Sequence, residues 1–426
     1  MTELPIDNQH QWPVTKKLLT LFLVSYLFFY MFPFPLDQVP HADKALAYYT
    51  DGLDFITKQI GKHLLGISPM QRIEDTGSGD TTFDYVNLLT TLLLAIVASC
   101  IVFIFTRKRK NYEKPYEWII VYARYFVGLY MVIYGISKLD NEQFISPSAT
   151  QLDEPYGNSS PMGLLWTFMG YSKSYTVFSG LGEILGGCLL FFRKTTVLGC
   201  LITIAVMSNV VMMNFCYDVP VKIFSGHLLL ISMIILAPYF IRLYEFFILN
   251  RTSEIVYPKL DLQKKWMRIT RYILKPVLIF GIVGFTLYGD HQNSEEAETN
   301  PALFGSYKTE LFIRNNDTIA PLTTDSTRWS KLIIDDGYAA VTTMNDHTVY
   351  YETDIDTSAK TIAIQSYKDS AANYVFTYKN IPGNRFFLTG EYKDDSISVS
   401  FQKKSPKDYL LMKRGFHWIN EYPFNR

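Results

Sequence analysis

The 426-residue chain has only four cysteines, Cys100, Cys188, Cys200 and Cys216, and no Cys-x-x-Cys among them. That spacing excludes a thioredoxin-type motif and offers no zinc signature. The default reading is small apolar side chains, three inside spans and Cys216 at an outer helix end; a Cys188–Cys216 pairing near the outer face stays open. Net charge is also lacking, with 40 Lys and Arg against 40 Asp and Glu. No basic surplus is available to neutralise phosphates, which argues against nucleic-acid binding. There is no phosphate-cradling glycine loop and no Gly-x-Ser-x-Gly turn, so neither an ATP-driven pump nor a nucleophile elbow is indicated. Inverted-repeat halves with broken helices, as in many transporters, are not evident.

A mean hydropathy of +0.06 conceals two unlike parts. Residues 18–36 (LLTLFLVSYLFFYMFPFPL) carry no charge before Asp37. A bilayer needs about 20 apolar residues to cross. No small-residue cleavage site follows, so the run reads as a retained anchor. Six further runs follow at 86–106, 116–137, 175–192, 195–215, 219–241 and 272–289. Basic residues gather in alternate connections: Lys16 and Lys17, then Arg107 to Lys110, then Arg193 and Lys194, then the stretch 242–275. The positive-inside rule puts the N-terminus in the cytoplasm, and seven crossings put the C-terminal segment outside. In the long loop 37–85, Leu46, Tyr49, Leu53, Ile56, Ile60 and Leu64 recur at helical steps. This amphipathic helix either lies on the outer membrane face or packs on the protein.

From about residue 300 the period becomes two. Runs such as YKTELFI, WSKLII, KTIAIQ and SISVSF are separated by Asp336-Gly337, Asn345-Asp346 and Pro382-Gly383. Eight or nine such strands predict an antiparallel all-β barrel or sandwich. The expected architecture is a helical membrane bundle of about seven spans followed by this domain. The divisions are 1–114 (two spans and the outer loop), 115–241 (a four-helix membrane core), 242–299 (a cytoplasmic loop, a seventh span and a linker) and 300–426 (the extracytoplasmic β domain). The tail Arg414 to Arg426, with Phe416, Trp418, Tyr422 and Phe424, either plugs the β domain or contacts a partner.

Ionisable groups within spans are costly and face the bundle interior. Arg124 and Glu183 fall near mid-membrane, and an Arg124–Glu183 ion pair would reduce the cost of each charge. The pair is a helix clasp, or else a polar centre for a head group or a proton route. Lys138 closes the third span, with Tyr134 one turn before it. Such a lysine is an interface lysine that snorkels, or a shielded base. His227 reads as a helix–helix hydrogen-bond partner, since no second ligand stands four residues on. Asn209 and Asn214 lie on the fifth span. Gly182-x-x-x-Gly186, beside Gly187, predicts a close-approach face.

The segments Ala123-Arg124, Gly135-Ile136-Ser137-Lys138-Leu139, Gly180 to Gly187 and Asn214 to Met233 resemble the DoxX family of bacterial membrane proteins. The resemblance covers roughly 115–240, and the tail RGFHWINEYPFNR resembles that of Bacteroidetes members with an added β domain. It implies a four-helix core in the bacterial inner membrane, with the β domain periplasmic. Lys138-Leu139-Asp140 is similar to a string in vitamin K-dependent carboxylases. Both likenesses imply an isoprenoid quinone as ligand. On that reading Lys138 and Tyr134 act at the quinone ring, with Arg124, Glu183, His227 and Asn214 lining the polar interior. A redox partner protein would supply electrons, because the chain has no haem pair, Fe–S cysteines or flavin fold. The alternative is a non-enzymatic scaffold that presents the β domain for lipid or partner binding.

Overall fold

The structure, a computed structural model, describes residues 11–39, 41–73, 77–139, 143–252, 254, 281, 284, 303–367, 372–381 and 384–425. Apart from Gly281 and Gly284, the expected seventh span 272–289 lies outside the described residues, as do the linker 290–299, Asp140 and the Pro382-Gly383 turn.

The helices are α1 (Val14–Met31), α2 (Asp43–Leu64), α3 (Thr82–Thr106), α4 (Glu113–Leu139), α5 (Ala149–Asp153), α6 (Pro161–Tyr171), α7 (Lys173–Leu190), α8 (Thr196–Cys216), α9 (Lys222–Leu236), α10 (Phe240–Phe247) and α11 (Leu410–Arg414). Five helical stretches among the described residues are long and apolar enough to cross a membrane: Val14–Gln38, Thr82–Thr106, Glu113–Leu139, Arg193–Cys216 and Lys222–Phe247. The helix expected over 175–192 is present as α7, which carries four glycines, several hydroxyls and Glu183 and is not among those five. In α4, 61% of the most apolar stretch is buried, against 22–33% in the other four, so α4 is the central helix. Its Ala123, Phe126, Val127 and Met131 pack with Leu27, Leu190 and Ile231. A capping box, Thr81 with Asp84, starts α3. The amphipathic segment 46–64 is indeed helical. It packs on α3, with Thr57 and Gly61 buried and Thr57 hydrogen-bonded to Asn87.

The chain divides into two compact units, 1–142 with 174–291 and 143–173 with 292–426. Residues 143–173, expected inside a membrane core of 115–241, therefore fold with the β domain. Their helix α5 lies against strands β1 and β3.

The β domain has β1 (Gly305–Arg314), β2 (Asp317–Thr318), β3 (Trp329–Asp335), β4 (Tyr338–Thr343), β5 (Thr348–Asp356), β6 (Thr361–Ser366), β7 (Asn373–Ile381), β8 (Arg385–Tyr392) and β9 (Asp395–Lys404). β1 and β3 to β9 pair antiparallel in order, and β1 also pairs with β9, from Ser306↔Lys404 to Arg314↔Ile397. That closure decides between barrel and sandwich and leaves no open sheet edge. Asn315-Asn316 and Lys393-Asp394 make two-residue hairpin turns with positive φ at both positions, the twist that suits adjacent strands. The interior is filled by Tyr307, Phe312, Trp329, Phe376, Phe386 and Phe401. These alternate with outward residues along each strand, and each fully buried aromatic side chain contributes roughly 1.5–3 kcal/mol.

Candidate functional site

Two glycines on α4 and two on α7 set the geometry of the candidate site. A methyl placed on Gly128 would lie 3.1 Å from the Gly187 carbonyl oxygen, and one on Gly187 would lie 2.5 Å from that of Gly128. The same holds for Gly135 and Gly180, at 2.7 and 2.6 Å. The two pairs are one heptad apart on both helices, so antiparallel backbones touch along one seam. Gly182 and Gly186 face elsewhere, toward Val206 and Thr203 of α8. The expected Gly182-x-x-x-Gly186 face is thus used, but against α8.

Close approach lets Lys138, in the last turn of α4, reach across. Its Nζ donates to both oxygens of Glu183, at 2.8 and 2.7 Å. Lys138 is 6% exposed and Glu183 2%. Lys138 is therefore held by a carboxylate within the protein instead of snorkelling to the membrane surface. The expected Arg124–Glu183 pair does not form, because Glu183 is held by Lys138. Arg124 donates through Nε and Nη2 to the Leu190 carbonyl, at 3.1 and 2.8 Å. Leu190 ends α7, where carbonyls lack intrahelical donors and the helix dipole favours a cation. Seven residues separate 183 from 190, about 10 Å along the helix.

Tyr134 is 39% exposed, one turn from Lys138, with its ring 6.0 Å from that of Phe224. His227 accepts from the Tyr26 hydroxyl through Nε2 at 2.6 Å. Its Nδ1 lies 2.7 Å from the Ile223 carbonyl, which can only accept, so Nδ1 carries the proton. Tyr30 stacks on the ring at 4.0 Å. Both nitrogens of His227 are thus engaged in one tautomer. Asn214 donates to Ser225 at 2.9 Å. Arg124, Lys138–Glu183, His227 and Asn214 each have their own hydrogen-bond partners. No group of three or more His, Cys, Asp or Glu among the described residues could hold a metal ion. All four cysteines are free; only Cys200 is buried, so three of them face outward instead of packing in the protein core.

Asp80 was not singled out by the sequence. It accepts from the backbone of Lys222 and Ile223 at 2.7 and 2.9 Å and lies 3.7 Å from the Lys222 ammonium, fixing the start of α9. Asp153, in the barrel unit, is the second such residue. It accepts from Ser306 at 2.6 Å and Tyr409 at 2.7 Å, and pairs with Lys404 at 3.2 Å and Lys331 at 3.3 Å. Burial alone would raise its carboxyl, but those hydrogen bonds and the lysine charge outweigh it and hold it at about 2. Neither acid belongs to a motif, so only the fold reveals them. The aromatic tail does not plug the barrel, whose interior is already full; Trp418 is 91% exposed.

One curated relative matches the chain. It is "Uncharacterized protein YwoB" of Bacillus subtilis (strain 168), 33% identical over 115 residues, which is 26% of this chain and 71% of the relative. No family model and no solved structure matches.

Proposed function

For this chain, which belongs to the family of YwoB, we propose a non-enzymatic role: a membrane scaffold that presents an eight-stranded barrel outside the cytoplasm to a partner. The observation that carries it is the α4–α7 connection, residues 143–173, built into the barrel unit. The barrel is thereby tethered through two chain routes, one on each side of α7 to α10. A connection and a barrel that share one fold lie on one side of the bilayer. The chain between them then crosses an even number of times. If α7 crosses with α8 and the α9–α10 stretch, the sequence run 272–289 is the apolar candidate for the fourth crossing that this reading needs. The basic connections support a cytoplasmic N-terminus with the barrel on the opposite side, and the DoxX resemblance supports the periplasmic side of a bacterial inner membrane. The Lys138–Glu183 pair is the clasp that fixes α4 on α7. A filled barrel interior favours a partner bound on the outer wall over a lipid held within.

The test is complementation in a strain lacking the protein. A Lys138→Met/Glu183→Met chain, which keeps the packing, restores the wild-type phenotype, whereas a chain ending at residue 302 does not. The reverse result overturns the scaffold reading.

A second reading, quinone-linked redox work with an electron-supplying partner, is favoured by one observation: half-exposed Tyr134 beside the buried pair. It rests further on the DoxX resemblance over 115–240. It requires an isoprenoid quinone retained in mild preparations and lost on Tyr134→Ala, read by mass spectrometry of extracts. Preparations that never retain one remove it.

A further inference from the structure

Lys17, in the first turns of α1, is 4% exposed. Its ammonium donates to the Arg109 carbonyl at 2.6 Å. No carboxylate lies within ion-pair distance among the described residues. A buried ammonium with a backbone carbonyl and no counter-charge is expensive. Its surroundings add positive charge rather than relieve it. Lys16, Arg107, Lys108, Arg109, Lys110 and Lys114 are exposed on the two segments that meet here, against one exposed acid, Glu113. The backbone ties these segments together, since the Trp12 N–H donates to the Lys110 carbonyl at 3.0 Å, and Lys16 lies over the Trp12 ring at 4.2 Å. α1 begins here without a side-chain cap, leaving first-turn N–H groups for an acceptor. Three of the helices long and apolar enough to cross a membrane end at this point: α1 and α4 start, and α3 stops. The cluster is therefore at head-group depth.

We propose that the Lys17 ammonium, with the α1 start and the 107–110 loop, forms a binding site for the phosphate of an anionic phospholipid. The lipid supplies the charge that Lys17 lacks. Its acyl chains lie along the exposed apolar faces of α1 and α3, where Leu19, Ile104 and Phe105 point outward. The site is independent of what the barrel binds and of any quinone.

Native mass spectrometry of the full-length chain, titrated with phosphatidylglycerol or phosphatidylcholine, tests it. The wild type retains phosphatidylglycerol in preference. Lys17→Met lowers that affinity about fivefold, the value of one lysine near a head group, and Lys17→Arg retains it. If Lys17→Met fails to fold, the exposed Lys108→Gln/Lys110→Gln chain serves, with the preference expected to fall while thermal unfolding stays as in the wild type. Equal binding of the two lipids, a wild-type preference in Lys17→Met or in the double variant, or equal competition by inorganic phosphate at the same concentration overturns the proposal.

Discussion

At the scale of the residue, a buried ion pair is costly to break and cheap to replace. Glu183→Gln leaves the Lys138 ammonium buried without its anion, a loss of about 3–5 kcal/mol. Lys138→Met/Glu183→Met is expected to unfold within about 1 kcal/mol of the wild type, since two similar volumes fill the seam. Thermal melts of both variants in one detergent check this; equal losses would mean that the pair does more than clasp. Both charges were legible in the sequence as ionisable groups within spans. Their pairing was not, because spacing along one helix says nothing of its register against another. Arg124 illustrates the same gap: its acceptor is a main-chain oxygen, exposed only because α7 stops at Leu190. Asp153 gives a pH prediction. Its folded value, about 2, lies below the ordinary 3.8. The unfolded chain thus binds the proton first, so the stability contributed by Asp153 is complete above about pH 4 and is lost as pH falls toward 2. Asp153→Asn flattens that part of the stability–pH curve, measured by denaturant midpoints between pH 2 and 6; an unchanged slope contradicts the assignment.

At the scale of the element, the strands and their turns were readable because period two and positive-φ turn residues are local properties. Helix existence was readable for the same reason. Helix contact was not, and the glycines show why. Gly182-x-x-x-Gly186 is the familiar spacing, but the α4–α7 seam uses Gly128 with Gly135 and Gly180 with Gly187, seven apart, a pattern that emerges only once two helices are superposed. The seam predicts unequal tolerance. Gly187→Ala drives a methyl to 2.5 Å from a backbone oxygen that cannot move alone, whereas at Gly182 the nearest atom is a Val206 methyl at 3.6 Å. The expected cost is about 1–3 kcal/mol for the first and under about 0.5 kcal/mol for the second, since Ala also favours the helix. In the barrel, Phe376→Ala empties a fully buried position and should cost about 3–5 kcal/mol. Urea unfolding followed by the near-ultraviolet signal of Trp329, 5.9 Å from the Phe376 ring, reads it directly.

At the scale of the whole molecule, the sequence divided cleanly at residue 300, and the described structure keeps the barrel there while adding a distant segment to it. Nothing in 143–173 announces that partnership; its polar and aromatic residues look like any loop. Single cysteines introduced at Asn158 and Ser358, both exposed, in a chain whose own four are replaced by alanine, should react with an impermeant maleimide from the same face of the membrane. A cysteine at Lys108 should react only from the other face. Labelling of 158 and 358 from opposite faces would exclude an even number of crossings between them. The shared fold also has a consequence in time. Asp153 leaves the ribosome well before Ser306, 153 residues later. At 5–20 residues per second that interval is roughly 8–30 s. Throughout it the 143–173 segment exists while the strands it will join are still unmade, and on the proposed topology four more crossings must insert before they arrive. A chain interrupted in that window carries an acid awaiting two lysines, a serine and a tyrosine that do not yet exist, which marks this connection as the place where quality-control proteases would meet an unfinished molecule.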